Sequence, residues 1–313
     1  MDFFAPLIAQ SQAVELLKQA VAKDRIAPAY LFVGTPGVGR SLTARCFLEL
    51  VFSQTNKDIN VVKSKIEKRN HPDLLWVEPS YQHQGKLFSA HEAAEKGLKR
   101  KAPPITRLEQ IRGITEFLSR PPLEAPRNVV VLEQAETMAE SAANALLKTL
   151  EEPGKATLIL IAPTPDSILT TLVSRCQKIP FYCLDTTAMS QVLALSGNSE
   201  ILNHPTVLSI AAGSPGKAIE AYQQMQNIPL DLLRSCTQAP KTYRSALELA
   251  KQVDKTLDNE AQLWLVDYLQ QSYWLSLRQP TIIQQLEKTR KALLCYAQPR
   301  LVWECMFLSL VVS

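Results

Sequence analysis

The 313-residue sequence predicts an α/β module built on a parallel sheet, followed by a wholly helical remainder. Three observations carry that expectation. Short runs that are apolar throughout alternate with segments of helical periodicity, the pattern of a parallel sheet covered on both faces. One of these runs feeds a glycine-rich loop that opens a helix. After about residue 183 the strand signals stop.

The elements follow in order. Val14, Leu16, Leu17 and Val21 recur at helical spacing within 11–24. Ala29-Tyr30-Leu31-Phe32-Val33 is a buried strand ending at Gly34, and the chain continues as a helix from Ser41. Further strands are expected at Leu74-Leu75-Trp76-Val77, 128–132, 157–161 and 178–182. Between them, Leu108, Ile111, Ile114 and Leu118 mark one helix, and Met138, Ala142, Ala145, Leu146 and Leu150 another. The stretch 80–104, which ends on Pro103-Pro104, reads as a surface insertion. Short helices are expected over 186–226, around Gly213-Ser214-Pro215-Gly216. Longer ones follow at 245–257, 260–277, 282–295 and 300–312.

Composition bounds the function. Hydrophobic residues make up 46%, enough for a sizeable core, and a net charge of +4 is too small to demand a polyanionic partner. The N-terminus lacks the basic start and small-residue cleavage site of a secretory signal. The most apolar stretch, 301–312, is too short for a membrane span and carries Glu304. The six cysteines, Cys46, Cys176, Cys183, Cys236, Cys295 and Cys305, form no C-x-x-C pair and share no metal spacing with the four histidines. The expectation is a reduced, cytoplasmic protein.

The chemistry lies in the glycine-rich loop. Gly34-Thr35-Pro36-Gly37-Val38-Gly39-Arg40-Ser41 follows the phosphate-loop spacing, with Arg40 in the place of the lysine. Gly34, Gly37 and Gly39 keep the backbone freedom that points N–H groups at anionic oxygens, and Ser41 keeps the hydroxyl that meets Mg²⁺. A planar guanidinium does not replace a compact ammonium, so Arg40 either still holds phosphate or occludes the pocket. The run 128–132 reads as the strand that ends in a metal-binding acid and a water-activating one. Glu133 keeps the first role, but Gln134 stands in the second. A missing general base costs ~10²–10⁴ in rate. Independent hydrolysis is therefore not expected.

Residues 4–39, the run Asn144-Ala145-Leu146-Leu147-Lys148-Thr149-Leu150-Glu151-Glu152-Pro153 and Ser174-Arg175-Cys176 resemble the AAA+ subunits of bacterial DNA polymerase III clamp loaders. The resemblance covers roughly residues 3–220. Within that family, an impaired phosphate loop beside an intact Ser-Arg-Cys marks the non-hydrolysing branch, not the gamma/tau ATPases.

The resemblance implies an AAA+ module over 1–184, a helical lid over 185–226 and a helical collar over 227–313. It implies that Arg175 is an arginine finger presented in trans to ATP on a neighbour, stabilising charge on the transferring phosphoryl group. By spacing alone, Arg175 would be a surface arginine at a strand start. The implied partners are the gamma/tau and delta subunits, the sliding clamp and primed DNA. The implied process is clamp loading in DNA replication, by a component of the polymerase holoenzyme without polymerase activity of its own.

Departures from the family pattern point the same way. Ser53 to His71 contains no cysteine, which excludes the zinc module many relatives carry there, although His71-Pro72-Asp73 remains. The sensing threonine is missing from Ile161-Ala162-Pro163, and Lys217 stands for the lid arginine. No cofactor is required on this reading, and ATP with Mg²⁺ would be held weakly. Two alternatives are a gamma-like ATPase using Arg40 and Glu133, and a stand-alone AAA+ motor forming a homo-ring. The basic residues Lys96, Lys99, Arg100 and Lys101 suggest local contact with nucleic acid or a solvated surface. Trp264, Tyr268, Tyr273 and Trp274 suggest a helical core or a subunit interface.

Overall fold

The structure is a computed structural model that describes residues 2–55, 58–83, 86–89, 92–93, 96, 103–151 and 154–311. The chain divides into two compact units, residues 1–184 and 185–313.

The first unit is built on five parallel strands: β1 (Ala29–Val33), β2 (Leu74–Val77), β5 (Asn128–Leu132), β6 (Ala156–Ala162) and β7 (Gln177–Pro180), in the order β2-β5-β6-β1-β7. In β1 the alternation of side chains sorts two kinds of core onto the two faces. Tyr30 and Phe32 face one side, where Tyr30 meets Phe47 edge-on and Phe32 packs against Phe181. Leu31 joins Val130, Leu132, Leu158 and Leu160 in an aliphatic cluster on the other.

The helices complete those layers. α1 (Ser11–Ala22) precedes β1, and α2 (Arg40–Phe52) supplies Phe47. α3 (Ile59–Glu67) is capped by the Asp58 carboxylate, which accepts the Val61 N–H at 3.3 Å. α4 (Leu108–Ser119) and α5 (Glu140–Glu151) bring Ile111, Ile114 and Leu146 to the aliphatic cluster. The short α6 (Thr170–Val173) adds Leu172 and Val173.

The polar motif His71-Pro72-Asp73 is structural. Asp73 is 1% exposed, and its carboxylate accepts the N–H groups of Leu123, Glu124 and Ala125, each at 2.7 Å. Three charge-assisted bonds fix the loop that enters β5. His71 packs against Phe52 with the rings tilted by 33°, and it accepts the Asp73 N–H at Nδ1, 3.1 Å away.

The structure departs from the sequence expectation in two places here. Ser80–His83 (β3) and Lys86–Ser89 (β4) pair as an antiparallel hairpin, so the expected insertion has secondary structure of its own. The last strand is Gln177–Pro180, not 178–182. Pro180 ends it, and the next two residues turn onto the glycine-rich loop.

The second unit has no strand among its described residues. Its helices are α7 (Thr186–Leu195), α8 (Pro205–Ala211), α9 (Pro215–Asn227), α10 (Leu230–Thr237), α11 (Tyr243–Thr256), α12 (Asn259–Leu277), α13 (Pro280–Leu294) and α14 (Pro299–Val311). Short polar caps start several of them. Asp185, Ser214, Thr242 and Asp258 each accept a first-turn N–H. The parallel sheet with flanking helices, followed by an all-helical region, is the AAA+-like arrangement the sequence predicts.

The core of the second unit holds two buried aromatics with polar ends. Trp303 donates its indole N–H to Gln262 Oε1 at 2.8 Å, and Gln262 donates to the Leu257 carbonyl at 2.9 Å. Tyr273 donates its hydroxyl to the Cys236 carbonyl at 2.9 Å. Among the expected aromatic residues of α12, Tyr273 is therefore core, Trp264 stacks on Tyr268, and Trp274 is exposed. No helix among the described residues is long and apolar enough to cross a membrane.

Candidate functional site

The glycine-rich loop leaves the carboxyl end of β1 and opens α2, and Glu133 follows the carboxyl end of β5. That edge of a parallel sheet is where ligand sites form in open α/β folds. Gly37 and Gly39 take φ values of 83° and 104°, left-handed conformations that a side chain would strain. A Cβ on Gly39 would lie 3.0 Å from Leu7.

Arg40 begins α2, and its side chain is largely buried. It is 9% exposed, and its Nη1 has no hydrogen-bond partner among the described residues. Burial pushes its pKa down, while the charges of Glu136 and then Glu133 push it up. Ser41 is half-buried beside it. Glu133 is half-buried, and its main-chain N–H donates to the Val77 carbonyl at 2.9 Å. Gln134 is exposed, with φ 47°, at the head of a single 3₁₀ turn over Ala135–Thr137.

Glu136 is a site residue that sequence reasoning missed. It lies within that turn, half-buried, with its Oε2 buried and without a partner. Burial pushes its carboxyl pKa up; its own main-chain N–H and then Arg40 oppose this, and Glu133 reinforces it. The spacing Glu133-x-x-Glu136 was the available signal. A buried guanidinium now sits in the field of two carboxylates, in the loop position where a phosphate-binding lysine belongs. Such a group can neutralise those acids; it has no water-activating base beside it at position 134.

Gln10 is the second missed residue. It is 3% exposed and makes three hydrogen bonds to main chain. Its Nε2 donates to the Val38 carbonyl at 3.2 Å and to the Tyr182 carbonyl at 2.8 Å, and its Oε1 accepts the Tyr182 N–H at 3.2 Å.

Arg175 lies outside this loop, just past α6 and before β7, on an exposed turn. Its Nη1 donates to the Thr171 carbonyl at 3.0 Å. The neighbouring Cys176 packs against the aliphatic core, and burial pushes its thiol up to about 11. Lys217 belongs to the second unit, in the first turn of α9, where its N–H donates to Ser214 Oγ at 3.3 Å. Ile161 and Ala162 are buried in β6, and Pro163 follows. Among the described residues, no group of three His, Cys, Asp or Glu side chains is placed to hold a metal. Of the basic run, Lys96 sits 4.3 Å over the Phe88 ring, while 99–101 lie outside the described residues, as do Glu152 and Pro153.

Comparison with known proteins gives the family. The family described as DNA polymerase III, delta subunit matches residues 9–185. The family described as Cyanobacterial DNA polymerase III delta prime, C-terminal domain matches 187–310. DNA polymerase III subunit delta' of Bacillus subtilis (strain 168) is 34% identical over 70% of this chain and 60% of its own length. Subunit delta' of Pseudomonas aeruginosa is 33% identical over 51% of this chain and 45% of its own. Subunit tau/gamma of Haemophilus influenzae is 28% identical over 68% of this chain and 29% of its own. The chain thus spans less than two thirds of the length of these curated relatives. A solved structure of a DNA polymerase III gamma subunit-related protein from Thermotoga maritima covers 96% of this chain at 14% identity and a TM-score of 0.53, a likeness of fold alone. With one family match over more than half of the sequence and a second over nearly all the rest, the chain belongs to the delta-prime family of bacterial DNA polymerase III clamp-loader subunits.

Proposed function

We propose that this chain is the stationary, non-hydrolysing subunit of a sliding-clamp loader, acting with gamma/tau and delta subunits to place the clamp on primed DNA. Its catalytic contribution is Arg175, offered in trans to ATP held by a neighbouring subunit. Its own loop does not turn ATP over.

The observation that carries this reading is the contrast between two arginines. Arg175 is exposed on a turn whose neighbour, Cys176, is held against the core. Arg40 is buried, in the field of Glu133 and Glu136. A guanidinium can stabilise a transferring phosphoryl group only where that group can reach it. The exposed turn meets that condition for a ligand on another chain. At the chain's own loop, Gln134 supplies no base, and Gly34, Gly37, Gly39 and Ser41 are left as remnants of a nucleotide site.

In this reading 1–184 is the AAA+ module, 185–226 the lid and 227–313 the collar that packs against other subunits, and the complex works in the cytoplasm. ATP turnover by a complex reconstituted with Arg175→Ala tests the proposal.

A further inference from the structure

Three consecutive residues leave β7 along the glycine-rich loop. The main chain of Phe181 lies against Gly34, with its carbonyl oxygen 2.5 Å from the place a Cβ would take. Tyr182 is tied to Val38 through the Gln10 side chain. Cys183 donates its thiol to Thr35 Oγ1 at 3.4 Å.

We propose that residues 181–183 form a strap across the phosphate loop, fastened by the Gln10 carboxamide, so that loop and strap hold one closed shape with no ligand bound. The reading concerns this chain's own loop and stands whether or not Arg175 serves a neighbour.

The chemistry of the fastener supports this. A primary amide carries two N–H donors and a carbonyl acceptor. Gln10 places one donor on the loop and the other on the strap, and its oxygen takes the strap's N–H. The flipped amide would set its oxygen against the carbonyls of Val38 and Tyr182, so the partners fix its orientation. No shorter or charged side chain reproduces the set. Asparagine lacks the reach, and glutamate has no donor. Because the group is buried, water cannot take over the bonds when it is removed.

The sequence separations, 28 and 172 residues, make the fastening a tertiary contact that joins distant parts of the chain. Its consequence is mechanical: Val38 cannot shift without releasing Tyr182, and the strap cannot lift without freeing the loop. The strap ends at Cys183, two positions before the second unit begins at Asp185.

Hydrogen exchange on the full chain tests the coupling. Two protected amides report it: Tyr182 N–H, held by Gln10, and Gly34 N–H, which donates to the Ala162 carbonyl at 3.4 Å. Gln10→Ala is expected to speed exchange at both, by about tenfold or more, because it removes three hydrogen bonds at once. The surface substitution Gln19→Ala is expected to change neither. Faster exchange at Tyr182 alone would overturn the proposal, because Gln10 would then be a local cap. Should Gln10→Ala fail to fold, native-state exchange of the wild type in low urea decides. Equal urea dependence at the two amides supports a single strap-and-loop opening, and unequal dependence overturns it.

Discussion

The carbonyl oxygen of Phe181 lies 2.5 Å from where a Cβ on Gly34 would stand, and the Phe181 Cβ lies 2.8 Å from the same point. The first glycine of the loop is therefore required by the chain that crosses it. Gly34→Ala forces backbone to move and is expected to cost about 1–3 kcal/mol, as overpacking does. Gly113 is the matched control: a Cβ there meets nothing within 4 Å, on the helix α4. Gly113→Ala is expected to be neutral or to stabilise by about 0.5–1 kcal/mol. Urea unfolding of the two variants reads both signs.

Thiol reactivity should sort the cysteines by burial. Burial pushes the Cys46 thiol up to about 11 and the Cys236 thiol up to about 12, and both side chains are buried. Cys183, Cys295 and Cys305 are exposed. At neutral pH only thiolate reacts. A maleimide or disulfide reagent is expected to label Cys183, Cys295 and Cys305 in the native chain, with Cys46 and Cys236 following only on unfolding. Peptide mapping after a timed pulse gives the order.

Stability should fall in mild acid because of His71. Burial pushes its pKa down, and the charges of Asp73 and Glu124 oppose this without reversing it. Protonation at Nδ1 would also break the bond from the Asp73 N–H. The folded pKa thus lies below the ordinary 6.5. As pH drops below that value, the unfolded chain takes up a proton that the folded chain resists, and stability is lost until the folded pKa is passed. The urea midpoint is expected to fall between pH 7.5 and 5.5, and to fall less in His71→Gln, whose side chain does not titrate.

In the second unit, Gln262 joins α12 to α14 through Trp303 and to the preceding turn through the Leu257 carbonyl. Gln262→Leu leaves a buried indole N–H and a carbonyl unpaired, each costing about 1–3 kcal/mol. Glutamate keeps the acceptor for Trp303 but loses the donor. The expected order of thermal stability is wild type, then Gln262→Glu at low pH where it is protonated, then Gln262→Leu.

The central sheet was legible because burial on both faces leaves β1, β5 and β6 apolar at nearly every position, Asn128 and Thr157 being the buried polar exceptions. The pairing of Ser80–His83 with Lys86–Ser89 was not, because Ser80, Gln82 and Lys86 give no apolar run and the strands are short. α10 was missed because it is only eight residues long, with Leu232, Leu233 and Cys236 as its buried residues. At the site, the loop glycines, Arg40, Glu133 and Gln134 were legible because a motif fixes their spacing. Glu136 and Gln10 were not, because their roles depend on partners brought near only by folding. Gln10 in particular reads as a polar residue before a helix, while its bonds lie on Val38 and Tyr182.

The most direct test of the account is ATP hydrolysis by a clamp loader reconstituted with gamma/tau and delta subunits, comparing Arg175→Ala and Arg40→Ala in this chain. The account predicts that Arg175→Ala cuts DNA-stimulated turnover by about tenfold or more, while Arg40→Ala leaves it nearly unchanged in an assembled complex. A silent Arg175→Ala, or a loss of turnover on Arg40→Ala, would contradict it and place working chemistry in this chain's own loop.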